Sequence, residues 1–539
     1  MDWYIERDGK RFGPISFNKL ADSARDGRRI FPENLAAQGD SEMNEHFVKR
    51  ANTTLNRDAA VHGTPPRKRP RAIHPHPDVL GVIEEINNQN FDAIIVGSGP
   101  GGATLARELA RAGKKVVVLE YGKDHRDRWY YGTVAGPFIY TDGRGFLKSK
   151  EGVTIVRPML TGGATNMFAS AASGPPEWWF KKTGIDIQAE INQTITELGI
   201  MPLPEYEMGA ASQRIGEAGR DLGMDWQPQD KFINSNRCFN GLDCGDKCMF
   251  GCRCGGKWTA NDYLDQAIEA GATVITECNV ERVKIEDGVA IGVEGRIRGI
   301  EFSLNAKTII VCAGGIGTPR ILQNSGIYDV GDALGVDTTY VVYGVIKDDG
   351  NTGDPPMTVS YCDDENGLMY STLTQPWGLF ALTQYFKGWR HLAKVPKFPR
   401  MLGIMVKIKE GLKGYVAPHG EISMPLTSED HQRANIGYQV AKNILLKAGC
   451  EGDSIFWNPP RGTHPCSSVR IGQHLDHNLQ THAFDNLYVS DASTFPLPLV
   501  RPPTLTIIGL SKRLAKHLTA TKLATERPQV NSPKGMEIS

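Results

Sequence analysis

Residues 93–102 read Ala-Ile-Ile-Val-Gly-Ser-Gly-Pro-Gly-Gly, and this stretch decides the fold of the 539-residue chain. Ala93–Val96 is an uninterrupted apolar run of the kind a strand buried on both faces requires. Ala103–Ala112 then carries apolar residues at helical spacing, and Gly113 ends the helix. Val116–Leu119 is a second apolar run, closed by Glu120. Strand, glycine turn, helix, strand and acid in this order make a dinucleotide-binding βαβ unit. Gly97 permits the tight turn, Gly99 lets the backbone approach a pyrophosphate, and Gly102 lets helix and strand pack closely. The helix N-terminus offers free N–H groups to the phosphates. Glu120 stands where a carboxylate accepts ribose hydroxyls, and it argues against NADP, whose 2′-phosphate it would repel. These residues leave FAD and NAD both open.

From about residue 86 short apolar runs alternate with helical segments, the pattern of an α/β architecture, α+β overall. Hydrophobic residues make up 40 % of the chain, ample for a large core. Lys+Arg and Asp+Glu both number 61, so no global field draws in nucleic acid. Ten cysteines in this length do not make a disulfide scaffold. The first residues lack a secretory pattern, and no run reaches the roughly 20 apolar residues of a membrane helix. The expectation is a cytoplasmic protein with no nucleic-acid partner and no transmembrane segment.

Residues 1–50 read as a small α+β module. Trp3-Tyr-Ile and the turn signals at Gly9 and Gly13-Pro14 predict a hairpin, and Ser16 is placed to cap a helix over Phe17–Asp26 ended by Gly27. The pattern resembles a bacterial GYF-like domain, a resemblance that implies a proline-rich peptide partner. Residues 51–85 form a linker whose segment 64–77 holds five prolines and four basic residues.

Three further segments carry a resemblance. Ala306–Ile327 is an apolar strand run into a glycine turn and a helix, Thr161-Gly-Gly-Ala-Thr-Asn166 is a small-residue loop, and the C-terminal part holds His464-Pro-Cys, Asn486-Leu-Tyr-Val-Ser-Asp-Ala-Ser and Pro503-Thr-Leu-Thr. In this order they resemble the glucose–methanol–choline (GMC) family of flavin oxidoreductases. The resemblance implies a Rossmann-like FAD-binding domain from 86–173, 235–330 and 456–525. It implies an antiparallel-sheet substrate domain from 174–234 and 331–455, with 526–539 as a tail. It places Gly162, Gly163 and Asn166 beside the isoalloxazine ring, Asp491 and Ala492 near the pyrophosphate, and Thr504 at the pyrimidine end of the flavin. Residues 161–173 contain no histidine for a covalent link, so non-covalent FAD is expected. The segment departs from the family at Gly315 and Tyr328.

Oxidising an alcohol needs a base for the hydroxyl proton, and imidazole has a suitable pKa. His464 matches the family's catalytic histidine, which implies proton abstraction there and hydride transfer to flavin N5. The family usually sets a His or Asn before its Pro-Thr-Leu-Thr turn, but Pro502 stands there and has no side-chain donor or acceptor. His464 acts alone, or Arg501 or Ser468 substitutes. The substrate would be an alcohol, sugar or hydroxylated lipid, and the electron acceptor oxygen, a quinone or a redox protein. Two rivals are a flavin-containing lyase of hydroxynitrile-lyase type and a catalytically silent flavin-bearing interaction protein. Cys238, Cys244, Cys248, Cys252 and Cys254 leave open free thiols, an iron–sulfur cluster on Cys244, Cys248 and Cys252, or zinc. Trp178, Trp179, Trp377, Trp389 and Tyr385 are candidates to line an apolar pocket.

Overall fold

The computed structural model describes residues 3–7, 10–15, 29–32, 73 and 78–520, short of 146, 239–243, 349, 351 and 352. The chain divides into two compact units, Met1–Pro70 and Arg71–Ser539. In the first, strand Trp3–Arg7 pairs antiparallel with Lys10–Ile15, the expected hairpin, and with Arg29–Pro32 on its other side. The helix expected over Phe17–Asp26, most of the linker and the tail 526–539 lie outside the described residues.

The second unit begins before residue 86. Ile73 bridges in parallel to Ile275, and helix Val79–Asn87 buries Val79 and Ile86 in the core. Its start is held by the Asp78 carboxylate, which accepts from Gly81 N at 2.8 Å.

The dinucleotide unit forms as read. Strand Phe91–Val96 leads through the glycine turn into helix Pro100–Arg111, and strand Val116–Leu119 returns beside it. The parallel sheet runs Thr273–Ile275, Val116–Leu119, Phe91–Val96, Ile300–Val311, Leu487–Val489. Ile94, Ile95, Val117, Val118, Ile309 and Ile310 are wholly buried, which is why these strands read as continuous apolar runs. The early part of Ile300–Val311 also joins an antiparallel meander with Val289–Ile297 and Cys278–Glu286.

A second, largely antiparallel sheet is centred on Thr339–Val345 and Met401–Ile408. Leu368–Thr372 and Val359–Asp363 extend it on one side, Arg461–Gly462 and Thr154–Ile155 on the other. Strand alternation sends Ile404 and Val406 into the core beneath helix Ser428–Lys447, and Met405 and Lys407 to the opposite face. Thr339 is the cross-strand partner of both Lys407 and Arg461, so these three side chains form one row on that face.

Close packing of the dinucleotide helix depends on two glycines. A Cβ at Gly102 would overlap the Gly97 carbonyl oxygen, and one at Gly101 the Ser490 carbonyl oxygen. Gly102→Ala is expected to lower stability by about 1–3 kcal/mol and to reduce the flavin content of purified protein. Thermal unfolding and absorbance at the flavin band check this, and wild-type values for both would refute the packing argument.

Candidate active site

One cavity of about 1850 Å³ lies between the carboxyl ends of the parallel strands and the Lys407 face of the second sheet. It exceeds the roughly 300–1,000 Å³ of ordinary ligand pockets, so it has room for a dinucleotide and a substrate together. Gly97, Gly99, Glu120, Gly163, Asp491, Ala492, Thr504 and His464 line it.

Three expected residues act from behind the wall. Gly102 packs helix against turn. Gly162 N donates to Ser98 Oγ at 3.1 Å, tying the small-residue loop to the glycine turn. Asn166 is fully buried: its Nδ2 donates to the Thr161 and Gly163 carbonyls at 2.9 Å, and its Oδ1 accepts from Tyr131 Oη at 2.8 Å and from Asn261 Nδ2 at 3.1 Å. These bonds exhaust the side chain within the protein, so Asn166 shapes the loop and does not face the cavity. The buried Lys257 ammonium group donates to the Asn166 and Phe168 carbonyls, and that of Lys231 to the Ala169 carbonyl, which holds the stretch after it.

The cradle fits FAD. A Cβ at Gly99 would meet nothing within 4 Å, so the turn is open to a ligand at the point where backbone approach is needed. Helix Pro100–Arg111 begins there without a side-chain cap, leaving its first N–H groups for phosphate. Glu120 is buried and accepts from Ser98 N at 2.9 Å, Ser98 Oγ at 2.6 Å and Gly122 N at 2.7 Å. Burial raises its pKa above the ordinary carboxylate value, against the pull of those bonds. Asp491 is also buried and accepts from Gly314 N at 2.8 Å and Thr318 Oγ1 at 2.6 Å, so it secures the start of helix Gly314–Asn324 as well as lining the cavity.

At the other end, His464 Nδ1 lies 2.8 Å from Asp337 Oδ2. The carboxylate can only accept, so Nδ1 carries the proton and Nε2 is the basic nitrogen. Nε2 has no protein partner among the described residues, and the ring lines the cavity. Lys407 Nζ sits 3.4 Å from Nδ1 and donates to Thr463 Oγ1 at 2.9 Å and Thr339 Oγ1 at 3.3 Å. Burial first, and the neighbouring Lys407 charge second, lower the His464 pKa, with Asp337 opposing them. Glu410, buried behind, accepts from Val336 N and from Thr338 N at 2.9 Å, and burial with Asp337 beside it raises its pKa. Asp337, Lys407 and Glu410 come from the substrate sheet, belong to no motif, and were not found from the sequence.

Gly315 has a physical reason to depart from the family's residue. A Cβ there would overlap the Pro465 carbonyl, next to His464, so the glycine lets the histidine loop come close. Tyr328 is exposed and touches nothing of the site. Pro502 lines the cavity where the second polar residue was expected. Neither proposed substitute takes its place: Arg501 is drawn 2.6 Å from Asp364 on the surface, and Ser468 Oγ donates to the Gly315 carbonyl at 2.7 Å.

Two other expectations are corrected. Trp179 is core, packed edge-on against Phe495, while Trp377, Trp389 and Tyr385 are exposed, and none of these nor Trp178 lines the cavity. Instead Val341, Met357, Leu373 and Met405 form its apolar wall beside His464. Cys244 is exposed, Cys248 buried and Cys252 intermediate, and no group of three metal-capable side chains converges among the described residues. Cys252 and Cys254 approach to 3.6 Å as thiols. The iron–sulfur reading therefore has no support.

Family models of the GMC oxidoreductase match residues 147–338 and 418–511, and an FAD binding domain matches 90–128. They begin at residue 90 and lend nothing to a GYF-like module or its peptide partner. An uncharacterised protein of Methanocaldococcus jannaschii is 27 % identical over 79 % of this chain and all of its own length. The long-chain-alcohol oxidase FAO3 of Arabidopsis thaliana is 24 % identical over 79 % of this chain and 68 % of its own. The 2-methyl-1,2-propanediol dehydrogenase of Mycolicibacterium austroafricanum is 22 % identical over 79 % and 95 %. Among solved structures, a pyridoxine 4-oxidase from Mesorbium loti superposes with a TM-score of 0.61 at 17 % identity, over 79 % of this chain and 99 % of its own. These matches do not favour the lyase or silent-carrier readings. With family matches along more than half of its length, the chain belongs to the GMC oxidoreductase family and is an FAD-dependent oxidoreductase that acts on the CH–OH group of alcohols.

Proposed function

We propose that His464 is the base that takes the hydroxyl proton of the substrate alcohol. The observation that carries this reading is the Asp337–His464 hydrogen bond of 2.8 Å, which leaves Nε2 as the basic nitrogen toward the cavity. An alcohol becomes a carbonyl by losing a proton from oxygen and a hydride from carbon. Bound FAD supplies the hydride acceptor at N5. Burial and Lys407 keep the imidazole neutral before reaction, so it is ready to accept. Once Nε2 is protonated, the Asp337 carboxylate stabilises the imidazolium without leaving its place.

The wall beside His464 supports a small-molecule alcohol with an apolar body. Arg461 gives that wall one polar end: it donates to Thr383 Oγ1 at 2.7 Å and has no acid partner among the described residues, so its other N–H groups are available to an acceptor on the substrate. The names of the relatives divide between oxidases and a dehydrogenase, so oxygen, a quinone or a redox protein completes the cycle. FAD is held without a covalent bond, and acid denaturation should release all of the yellow chromophore from the chain.

His464→Ala is expected to slow anaerobic flavin reduction by an oxidisable alcohol about 10²–10⁴-fold with flavin content unchanged. Wild-type reduction by this variant would remove His464 from the chemistry. In the wild type the acid limb of kcat/KM should fall below the ordinary histidine value of about 6.5, because the unprotonated form persists to lower pH. Lys407→Met removes a charge that lowers the His464 pKa, so the acid limb should move to higher pH. An unmoved or downward-shifted limb would contradict the electrostatic role. Asp337→Asn should cut kcat strongly while leaving flavin bound, as the imidazole loses both its fixed tautomer and its counter-charge.

A further inference from the structure

The surface beside the cavity mouth carries a feature that the redox chemistry does not use. Helix Trp377–Lys387 turns Phe380 and Gln384 inward, both fully buried and one helical turn apart. Its outer side and the segment Trp389–Arg400 leave Trp377 58 %, Tyr385 62 %, Phe386 64 % and Trp389 78 % exposed, with Leu392 partly so. The patch continues across the mouth. Val134 packs against Gly378, and the exposed Trp129 and Ile139 line the cavity together with Leu379 of the helix.

Charge follows the same pattern. The chain as a whole is balanced, yet residues 366–409 contain no Asp or Glu. Lys387, Arg390, Lys394, Lys397 and Arg400 fall within the aromatic segment, and none forms an ion pair among the described residues. Lys394 Nζ lies 3.5 Å from the centre of the Phe456 ring and Lys387 Nζ donates to the Trp457 carbonyl at 3.0 Å, so some of the cations are spread over aromatic groups and backbone. Large amphipathic rings interleaved with unpaired cations form a surface suited to the headgroup level of a bilayer. The excess of cations over acids along residues 366–409 further selects anionic lipid, which attracts each Lys or Arg near it.

We propose that this patch docks the enzyme peripherally on an anionic phospholipid bilayer, with the cavity mouth facing the lipid. No helix among the described residues is long and apolar enough to cross a membrane, so the attachment is by the surface alone. A second copy of the chain is the competing occupant of an exposed aromatic face, but five unpaired cations would repel their own copies across a two-fold interface.

Co-sedimentation of the flavin-loaded protein with vesicles tests this. Vesicles of phosphatidylcholine mixed with phosphatidylglycerol should bind it, and vesicles of phosphatidylcholine alone should bind it at least about tenfold less. A triple variant, Trp377→Ser with Phe386→Ser and Trp389→Ser, should lose about tenfold or more of the binding. Arg390→Glu with Lys397→Glu should lose the preference for anionic lipid, and raised salt should weaken wild-type binding. Flavin content and melting temperature confirm that each variant is folded. If a variant fails to fold, the comparison of lipids and salt in the wild type still decides. Absence of binding to either vesicle, equal binding to both, or binding that the folded variants retain would overturn the proposal. So would sedimentation velocity showing a dimer that the aromatic substitutions dissociate.

Discussion

The carboxylate of Asp337 joins two segments that are remote from it and from each other in the chain. One oxygen accepts from His464 Nδ1 at 2.8 Å, the other from Val500 N at 3.1 Å. The first bond orients the imidazole, and the second holds the loop that leads into Pro502, Pro503 and helix Thr504–Ala520. A buried carboxylate is tolerable only when such donors surround it. Here its donors are the parts of the site that have to be held in register.

The backbone around this junction is strained. Asp337, Val500 and Ser467 all have φ between 49° and 65° without being glycine. Each such conformation costs about 1–3 kcal/mol and persists only where neighbouring structure over-determines it. The neighbouring structure is dense: Gly315 leaves room for Pro465, Ser468 holds the Gly315 carbonyl, and His464 N and Thr463 N both donate to the Val336 carbonyl. Precise placement of one imidazole is thus built from several unfavourable local choices, stabilised by the packing of the two sheets.

The βαβ unit was legible because each of its parts is local. Turn, helix N-terminus and acid lie within 28 residues, and their jobs follow from backbone geometry alone. His464 was legible through its neighbours in the chain. Asp337 and Lys407 were not, since a lone acid before a strand and a lone lysine within one give no spacing signal. The tryptophans misled for a related reason: aromatic content says that area will be buried or recognised, but not by what, and Trp377 and Trp389 stayed on the surface. Thiol spacing likewise did not bring Cys244, Cys248 and Cys252 onto one point.

By itself the sequence determined the dinucleotide cradle and singled out His464 as a candidate, because these rest on short-range patterns of glycine, apolar period and motif. Only the tertiary structure decided which groups set that histidine's tautomer and charge, that Arg501 and Ser468 are both engaged away from Pro502, and which aromatic rings face water. Those outcomes depend on side chains from separate strands meeting across a cavity, and no separation along the chain encodes that distance.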